Sequence, residues 1–173
     1  MCIRDSLVIF SHGKESGPKG TKIKLLTEVA QNLGFSTISV DYTTCNDVNQ
    51  RVDLLKKTLS NHKDTAIVLV GSSMGGYVST VVASEIKVEA MFLMCPALYL
   101  ETYPVQFYSP KTSKVEIIHG WKDEVVPFEN SIKFGQEIQA KLHLVNDNHR
   151  LINSYKFLQQ RFDTLLKEVL PRI

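Results

Sequence analysis

The sequence predicts an α/β fold, a three-layer sandwich in which a mostly or wholly parallel sheet of six strands lies between two layers of helices. Three observations support this prediction. Six short apolar runs recur along the chain, segments with helical spacing separate most of them, and the runs are apolar throughout instead of alternating with polar residues. Strands that are apolar on both faces are typical of parallel sheets covered by helices on both sides.

Each predicted strand is a run of β-branched and other apolar residues that ends in a turn. The strands are 7–10, 35–40, 66–70, 90–95, 115–119 and 141–145. Of the five predicted helices, the first ends at Gly34, and the second begins at Asp47, which forms a capping-box pair with Gln50. The third starts inside a glycine-rich segment, the fourth follows Pro127, and the fifth covers 151–169.

The length and hydropathy are those of an ordinary globular protein. With 173 residues in the chain, we expect a single domain that covers 7–173. The first six residues, MCIRDS, show no periodicity and are predicted to be a non-native or disordered segment. No apolar run reaches the roughly 18 to 20 residues that span a bilayer, so membrane insertion is not expected.

The charge and cysteine content narrow the range of partners and compartments. The net charge is +2 and the lysines are scattered, without the basic stripe that tracks nucleic-acid phosphates. The cysteines, Cys2, Cys45 and Cys95, are odd in number and lack paired C-x-x-C spacing. This usage favours reduced thiols in a cytoplasmic protein and predicts neither a disulfide framework nor a metal site.

The segment VGSSMGGYVS, residues 70–79, joins the third strand to the third helix. Its Gly71, Ser73 and Gly75 fit the pattern G-x-S-x-G, in which a nucleophilic serine occupies a sharp strand-to-helix turn. Small residues are needed two positions before and after the nucleophile, because the backbones crowd together there. For Ser72 those positions hold a valine and a methionine, so Ser72 is interpreted as structural.

Phosphate-binding patterns fail in the glycine-containing loops. A dinucleotide-binding G-x-G-x-x-G needs a glycine where Ser73 stands, and the lysine that completes a phosphate-binding loop is missing. In HGKESGPKGT, residues 12–21, a required glycine falls on Pro18, which has no backbone N–H for a phosphate. No nucleotide cofactor is therefore predicted.

A serine nucleophile needs a general base and a carboxylate that orients the base, and both follow Ser73 in the order Ser, Asp, His. The predicted base is His149, in NDNHRL, because it follows the last strand and precedes the last helix. The other histidines are interpreted as surface, packing or supporting residues. They are His12, His62, His119 and His143.

The predicted acid is Asp123, in HGWKDEVVP, because it follows the fifth strand near the edge of the sheet where we expect His149. Glu124 is the nearby rival. Asp147 is too close to His149 in sequence to reach its ring from a separate loop, and Asp41 is expected on the far side of the sheet.

Two backbone N–H groups are expected to bind the oxyanion of an acyl-transfer reaction. One is that of Met74, directly after the nucleophile at the start of a helix. The second comes from the loop after the first strand, where Lys14 is preferred and Gly13 is the alternative.

Together these segments resemble the α/β-hydrolase superfamily over nearly the whole chain. The resemblance rests on the first strand followed by HG, on GSSMGG, on HGWKDEVVP and on NDNHRL. The compact form is similar to small single-domain bacterial esterases of the YqiA-like kind, in a minimal fold that lacks the first two strands and a large cap. The resemblance implies acyl transfer to water through Ser73, His149 and Asp123, without a cofactor.

The expected activity is hydrolysis of a small-molecule carboxylic ester or thioester with a small to medium acyl group. The irregular stretch 96–114 is the one candidate for a small cap, and it contains the candidate acyl-binding residues Leu98, Tyr99, Tyr103 and Phe107. An equally open interpretation is that these side chains simply cover the sheet. A peptidase of the same fold and a non-catalytic interaction protein are the alternative functions.

Overall fold

A computed structural model of the protein describes residues 5–45 and 47–170. In this range six strands form one sheet: β1 (Ser6–Ser11), β2 (Ser36–Val40), β3 (Ala66–Ser72), β4 (Ala90–Met94), β5 (Val115–Gly120) and β6 (Lys141–Val145). The α-helices are α1 (Thr21–Asn32), α2 (Val48–Ser60), α3 (Met74–Glu85), α4 (Phe128–Ile138) and α5 (Tyr155–Val169). A 3-10 turn, Ile152–Ser154, precedes α5.

The strands follow the order β2-β1-β3-β4-β5-β6, and every neighbouring pair is parallel. The predicted six-stranded parallel sheet is therefore confirmed. The chain starts inside the sheet at β1, moves outward to β2, and returns past β1 to β3, where Ser11 and Gly71 are register partners. The direction of strand addition reverses here, and open α/β sheets bind ligands beyond the carboxyl ends of the strands at such a switch.

Two apolar cores cover the two faces of the sheet. Along β3, Ile67 and Leu69 belong to the core packed under α2, α3 and α4, whereas Val68 and Val70 belong to the core packed under α1 and α5. Successive side chains of a strand point to opposite faces, so a strand buried on both sides must be apolar at every position. This burial accounts for the continuous apolar runs of the sequence.

The start of α2 follows a local sequence signal. The Asp47 carboxylate accepts a hydrogen bond from the Gln50 N–H at 2.9 Å, as expected of an N-cap. α5 begins later than predicted because Leu151 adopts a φ of 56° and the 3-10 turn comes before the helix. None of the helices in the described part of the chain is long and apolar enough to cross a membrane.

Residues 1–6, predicted to be a non-native or disordered segment, end in two residues that take part in the sheet. Its first four residues, 1–4, lie outside the described residues. The carbonyl of Asp5 accepts a hydrogen bond from the N–H of Ala66 at 2.9 Å, and Ser6 opens β1. The last two residues of that segment therefore contribute to the sheet.

Candidate active site

Ser73 lies at a sharp turn between the end of β3 and Met74, the first residue of α3. Its φ and ψ angles are 53° and −118°, a combination that residues other than glycine rarely adopt. Such backbone strain persists only where the surrounding structure enforces it, and it is concentrated at functional sites. This backbone geometry, at a strand-to-helix turn, is typical of a nucleophile elbow.

The glycines of the elbow are required by close backbone contacts. A Cβ on Gly71 would lie 2.5 Å from the carbonyl oxygen of Gly75, and a Cβ on Gly76 would lie 2.7 Å from the Cβ of Pro96. A Cβ on Gly75 would overlap the backbone carbonyl of Ser11 at the end of β1. This crowding explains why so many small residues occur in one short segment.

Three polar side chains from three loops converge at the elbow. The Ser73 hydroxyl lies 3.0 Å from Nε2 of His149, and Nδ1 of His149 lies 2.7 Å from Oδ2 of Asp123. With its Nδ1–H donating to the carboxylate, the imidazole leaves Nε2 as the acceptor for the serine O–H. The structure thus brings together the nucleophile, base and acid proposed from the sequence, which follow β3, β6 and β5.

Asp123 is a buried carboxylate held by hydrogen bonds on both oxygens. Oδ1 accepts from the N–H groups of Val125 and Val126, each at 2.8 Å. Oδ2 accepts from the imidazoles of His149 and His119, the latter at 2.9 Å. Burial by itself would raise the pKa of Asp123, but the hydrogen bonds from the two imidazoles and the two N–H groups outweigh it and hold the pKa well below its usual range. Asp123 is therefore ionised at neutral pH.

The competing candidates from the sequence have other surroundings. Glu124 is exposed. The Asp41 carboxylate accepts hydrogen bonds from the N–H and the hydroxyl of Thr43, at 2.9 and 2.6 Å, and so orders a turn after β2. His143, in β6, contacts the buried carboxylate of Glu116 at 2.9 Å. Asp41 and His143 therefore have partners that suit structural roles.

Asp147 anchors the loop that carries His149. Its buried carboxylate accepts a hydrogen bond from the N–H of Asn153 at 2.9 Å, which ties the loop to the turn before α5. A Cβ on Gly120 would lie 2.7 Å from the carbonyl oxygen of Asn148, so the glycine at the end of β5 allows this loop to approach. The sequence analysis excluded Asp147 as the acid but did not identify this anchoring role, because no local pattern marks it.

The loop after β1 passes close to the nucleophile, since a Cβ on Gly13 would lie 3.4 Å from the Cβ of Ser73. The Arg51 guanidinium donates to the carbonyl oxygens of His12 and Gly13, at 3.1 and 3.5 Å. Nδ1 of His12 lies 2.6 Å from the same Gly13 oxygen. In a trans peptide the C=O and the N–H point in opposite directions, so the N–H groups of Gly13 and Lys14 point away from Arg51.

His12 and Arg51 support this loop from inside the protein. Nε2 of His12 accepts a hydrogen bond from the N–H of Tyr42 at 3.0 Å, so the ring proton lies on Nδ1. Burial lowers the pKa of His12, in keeping with a neutral ring. Arg51 is only 5% exposed, and its guanidinium lies 5.1 Å from the centre of the Tyr42 ring. The sequence analysis gave Arg51 no role, because an arginine within a helix carries no distinguishing pattern.

The four candidate acyl-binding residues lie in the segment 96–114, which forms neither helix nor strand, and they differ in exposure. Leu98 is fully buried in the core and can meet a substrate only after a rearrangement. Tyr99 and Tyr103 are partly buried against the same core, whereas Phe107 is 81% exposed. Leu98, Tyr99 and Tyr103 therefore pack on this core, whereas Phe107 does not.

Cys95, His119 and Asp123 form a cluster, within the described residues, whose potential metal-ligand atoms lie within 4.8 Å of one another. Burial raises the pKa of the Cys95 thiol to about 12, so the thiol is protonated at neutral pH. Oδ2 of Asp123 already accepts hydrogen bonds from His149 and His119. A metal ion here would compete with the contact between Asp123 and His149, so the donor set fits a hydrogen-bonded cluster better than a metal centre.

The fold and the site together define a class of protein. The arrangement is that of the α/β-hydrolase superfamily. It combines a parallel sheet of this strand order with a serine elbow after β3, an acid after β5 and a histidine after β6. The chain belongs to the uncharacterised protein family UPF0227, which its residues 7–107 match. This range contains Ser73, whereas Asp123 and His149 lie beyond it. None of the curated proteins compared with the chain matches it significantly.

Several solved structures share the fold. A proposed hydrolase of the alpha/beta superfamily from Xanthomonas campestris pv. campestris is 31% identical, with a TM-score of 0.86 over 94% of this chain and 99% of that one. Est1E from Butyrivibrio proteoclasticus is 19% identical, with a TM-score of 0.83 over 99% and 90% of the two chains. A lidless a/b serine hydrolase from Xanthomonas campestris is 16% identical, with a TM-score of 0.80 over 100% and 86%. The last two comparisons show similarity of fold alone.

Proposed function

We propose that the protein is a serine hydrolase that cleaves a carboxylic ester or thioester of a small to medium acyl group. The observation that carries the proposal is the pair of hydrogen bonds that links Ser73 to His149 and His149 to Asp123, at 3.0 and 2.7 Å. Further support comes from the superfamily, and from the similarity to Est1E, which has also been solved with ferulic acid bound.

The first half of the reaction transfers the acyl group to the enzyme. Nε2 of His149 accepts the Ser73 proton while Oγ forms a bond to the carbonyl carbon of the substrate. The electrons of the C=O bond move to oxygen and give a tetrahedral oxyanion. As this intermediate collapses, the bond to the leaving oxygen or sulfur breaks, and His149 delivers the proton to the leaving group. An ester of the acyl group with Ser73 remains.

The second half repeats the same steps with water. His149 accepts a proton from the water molecule while the water oxygen bonds to the acyl carbon. Collapse of the second oxyanion breaks the bond to Oγ, and His149 returns the proton to Ser73. The products are a carboxylic acid and an alcohol or thiol. Throughout, the ionised Asp123 holds the tautomer of His149 and stabilises the imidazolium that forms.

The oxyanion is proposed to accept two backbone hydrogen bonds. One donor is the N–H of Met74, which as the first residue of α3 has no partner within the helix. The other is the N–H of Lys14 or, as the alternative, of Gly13. The closeness of Gly13 to Ser73, and the direction that Arg51 imposes on these peptides, support a donor from this loop.

The acyl group is proposed to lie along the start of the segment 96–114. The N–H of Ala97 donates to the carbonyl of Ser73 at 3.0 Å, so this segment begins next to the nucleophile. Tyr99 and Tyr103 are partly exposed and Phe107 is 81% exposed, so each offers some apolar surface to a substrate. A partly apolar surface of this kind suits acyl groups of small to medium size.

Labelling with a fluorophosphonate tests the proposal without knowledge of the natural substrate, because the probe phosphonylates an activated serine. We expect one adduct per chain, located on Ser73 by peptide mass spectrometry. Ser73→Ala should abolish the adduct, and Ser72→Ala should retain it. Absence of an adduct on folded wild-type protein would contradict the proposal and favour a non-catalytic interaction protein.

Turnover then defines the substrate class. Acyl esters, acyl thioesters and peptide amides of matched acyl groups should be compared at increasing acyl length. We expect hydrolysis of esters or thioesters with a preference for short and medium chains. Hydrolysis of the amides alone would instead identify a peptidase.

A further inference from the structure

His119 is a fully buried histidine that makes polar contacts with Asp123, Val126 and Ser131. It lies near the end of β5, and its Nε2 is 2.9 Å from Oδ2 of Asp123. The same carboxylate oxygen accepts the hydrogen bond from Nδ1 of His149 at 2.7 Å. A second imidazole therefore contacts the acid at the atom that the triad uses.

The partners of His119 determine which ring nitrogen carries the proton. Nε2 faces two acceptors, the Asp123 carboxylate and, at 3.1 Å, the carbonyl of Val126, so Nε2 is the donor. Nδ1 lies 2.7 Å from the hydroxyl of Ser131, a fully buried residue of α4, and this hydroxyl donates to Nδ1 when the ring is neutral. Short polar contacts thus link Ser131 in α4, through His119, Asp123 and His149, to Ser73 at the elbow.

We propose that His119 is a positioning residue for catalysis, which acts through Asp123 and touches neither the substrate nor the nucleophile. This inference rests on the serine hydrolase function proposed above. The N–H groups of Val125 and Val126 hold Oδ1, and the His119 N–H holds Oδ2, so the carboxylate plane is fixed before His149 binds to it. Fixing the acceptor fixes the direction of the His149 ring and hence the place of Nε2.

The hydrogen bond from His119 also changes how strongly the Asp123 carboxylate attracts a protonated His149. A carboxylate oxygen that accepts from two donors interacts less strongly with either one than an oxygen with a single donor does. Loss of the His119 N–H would therefore strengthen the attraction between Asp123 and the protonated His149. The predicted consequence is that the acid limb of the activity profile moves to higher pH, because His149 then holds its proton more tightly.

Two other titratable groups near this cluster, Lys22 and Cys95, lie on other elements than His119. From α1, Lys22 interacts electrostatically with Asp123, with Asp147 and with Arg150, and burial lowers its pKa. After β4, the Cys95 thiol is uncharged at neutral pH, because burial raises its pKa. A substitution of His119 leaves these groups in place, so a shift of the acid limb reports the lost hydrogen bond.

The test compares two substitutions that differ in the donor. In His119→Gln, the amide nitrogen can reach the position of Nε2 and donate to Asp123. In His119→Phe, the ring shape is similar but the donor is missing. For each folded variant, the rate of fluorophosphonate labelling of Ser73 is measured against pH, and kcat and KM are measured with a p-nitrophenyl ester.

The expected result is a split between the two variants. His119→Phe should lower kcat by about ten- to a hundredfold with little change in KM, as supporting hydrogen bonds of reactive groups typically do, and should move the acid limb to higher pH. His119→Gln should restore most of kcat and the wild-type limb. If the phenylalanine variant fails to fold, His119→Asn takes its place, because its shorter amide cannot reach Asp123.

Ser131→Ala is the control, because it removes the partner of Nδ1 but keeps the Nε2 donor of His119. The acid limb of its activity profile should stay at the wild-type pH. Equal losses in His119→Gln and His119→Phe, with the limb unmoved in both, would overturn the proposal and leave His119 a packing residue. Failure of the proposed function has a different result, because wild-type protein would then not label at Ser73 at all.

Discussion

The hydroxyl of Ser73 and Nε2 of His149 lie 3.0 Å apart although 76 positions separate the two residues in the chain. The contact joins a strained elbow between β3 and α3 to a loop after the last strand. Each of the two residues is positioned by its own surroundings. The glycines allow the close backbone packing of the turn that carries Ser73, and the Asp147 carboxylate anchors the loop that carries His149. The predictions below test this contact and the groups that support it.

The first prediction concerns the strain at Ser73. Both Ser73→Ala and Ser73→Gly should abolish turnover, because both remove the nucleophile. Ser73→Gly should be the more stable of the two by about 1 kcal/mol or more, since glycine adopts the φ of 53° without steric cost. Thermal unfolding of the two inactive variants measures the difference, and equal midpoints would show that the elbow holds little strain.

The second prediction separates Asp123 from its neighbour. Asp123→Asn should lower kcat by a factor on the order of 10³ to 10⁴, because an amide leaves the imidazole of His149 in the wrong tautomer and its protonated form without support. Glu124→Gln should have little effect, because Glu124 is exposed. Steady-state kinetics of the two variants checks this, and similar losses would leave the identity of the acid open.

The third prediction concerns pH. Activity should fall on the acid side, because only a neutral imidazole can accept the Ser73 proton. Asp123 does not cause this fall. Its pKa is depressed in the folded state, so its stabilising contribution is present at neutral pH and is lost only below the ordinary carboxylate range.

A pH–rate series on wild type and two histidine variants checks the assignment. His149→Ala should lose both the activity and its acid limb, whereas His12→Ala should keep the limb even if the loop after β1 is weakened. Near-normal turnover in His149→Ala, with the limb retained, would exclude His149 as the base.

The fourth prediction concerns Arg51. Arg51→Met should lower kcat/KM by about ten- to a hundredfold, because the carbonyls of His12 and Gly13 lose the group that orients their peptides. This loss is smaller than, or similar to, the loss caused by removing one oxyanion donor. Arg51→Lys should recover part of the loss, since a lysine can donate to one carbonyl but lacks the planar fork. If Arg51→Met folds and keeps wild-type turnover, the loop does not depend on this contact.

The fifth prediction concerns stability alone. The Ser79 hydroxyl, in α3, is fully buried and has no hydrogen-bond partner in the described part of the chain. Ser79→Ala should therefore raise the free energy of unfolding by about 1 kcal/mol, because it removes an unsatisfied buried group. The neighbouring Thr80 hydroxyl donates to the Gly76 carbonyl at 2.7 Å, so Thr80→Val should have the opposite effect. Urea unfolding of both variants gives the comparison.

The fold could be predicted from the sequence because the buried parallel strands are apolar on both faces. The elbow could be predicted because Gly71, Ser73 and Gly75 fall at a fixed spacing within five residues. His119 and Arg51 gave no such signal. Their partners, Asp123 in one case and the carbonyls of the loop after β1 in the other, lie on other elements, so their roles depend on tertiary distances. Leu98 illustrates the same limit, because its spacing could not distinguish a core residue from one that contacts a substrate.

The order of the strands also bears on how the protein is made. The elbow and the loop after β1 are built from β1, β3 and α3, which leave the ribosome before β5 and β6 do. The strands that precede Asp123 and His149 add to one side of the sheet only after this part exists. On the proposed function, a nascent chain carries Ser73 before His149, and we expect it to become reactive towards esters only once β6 has docked.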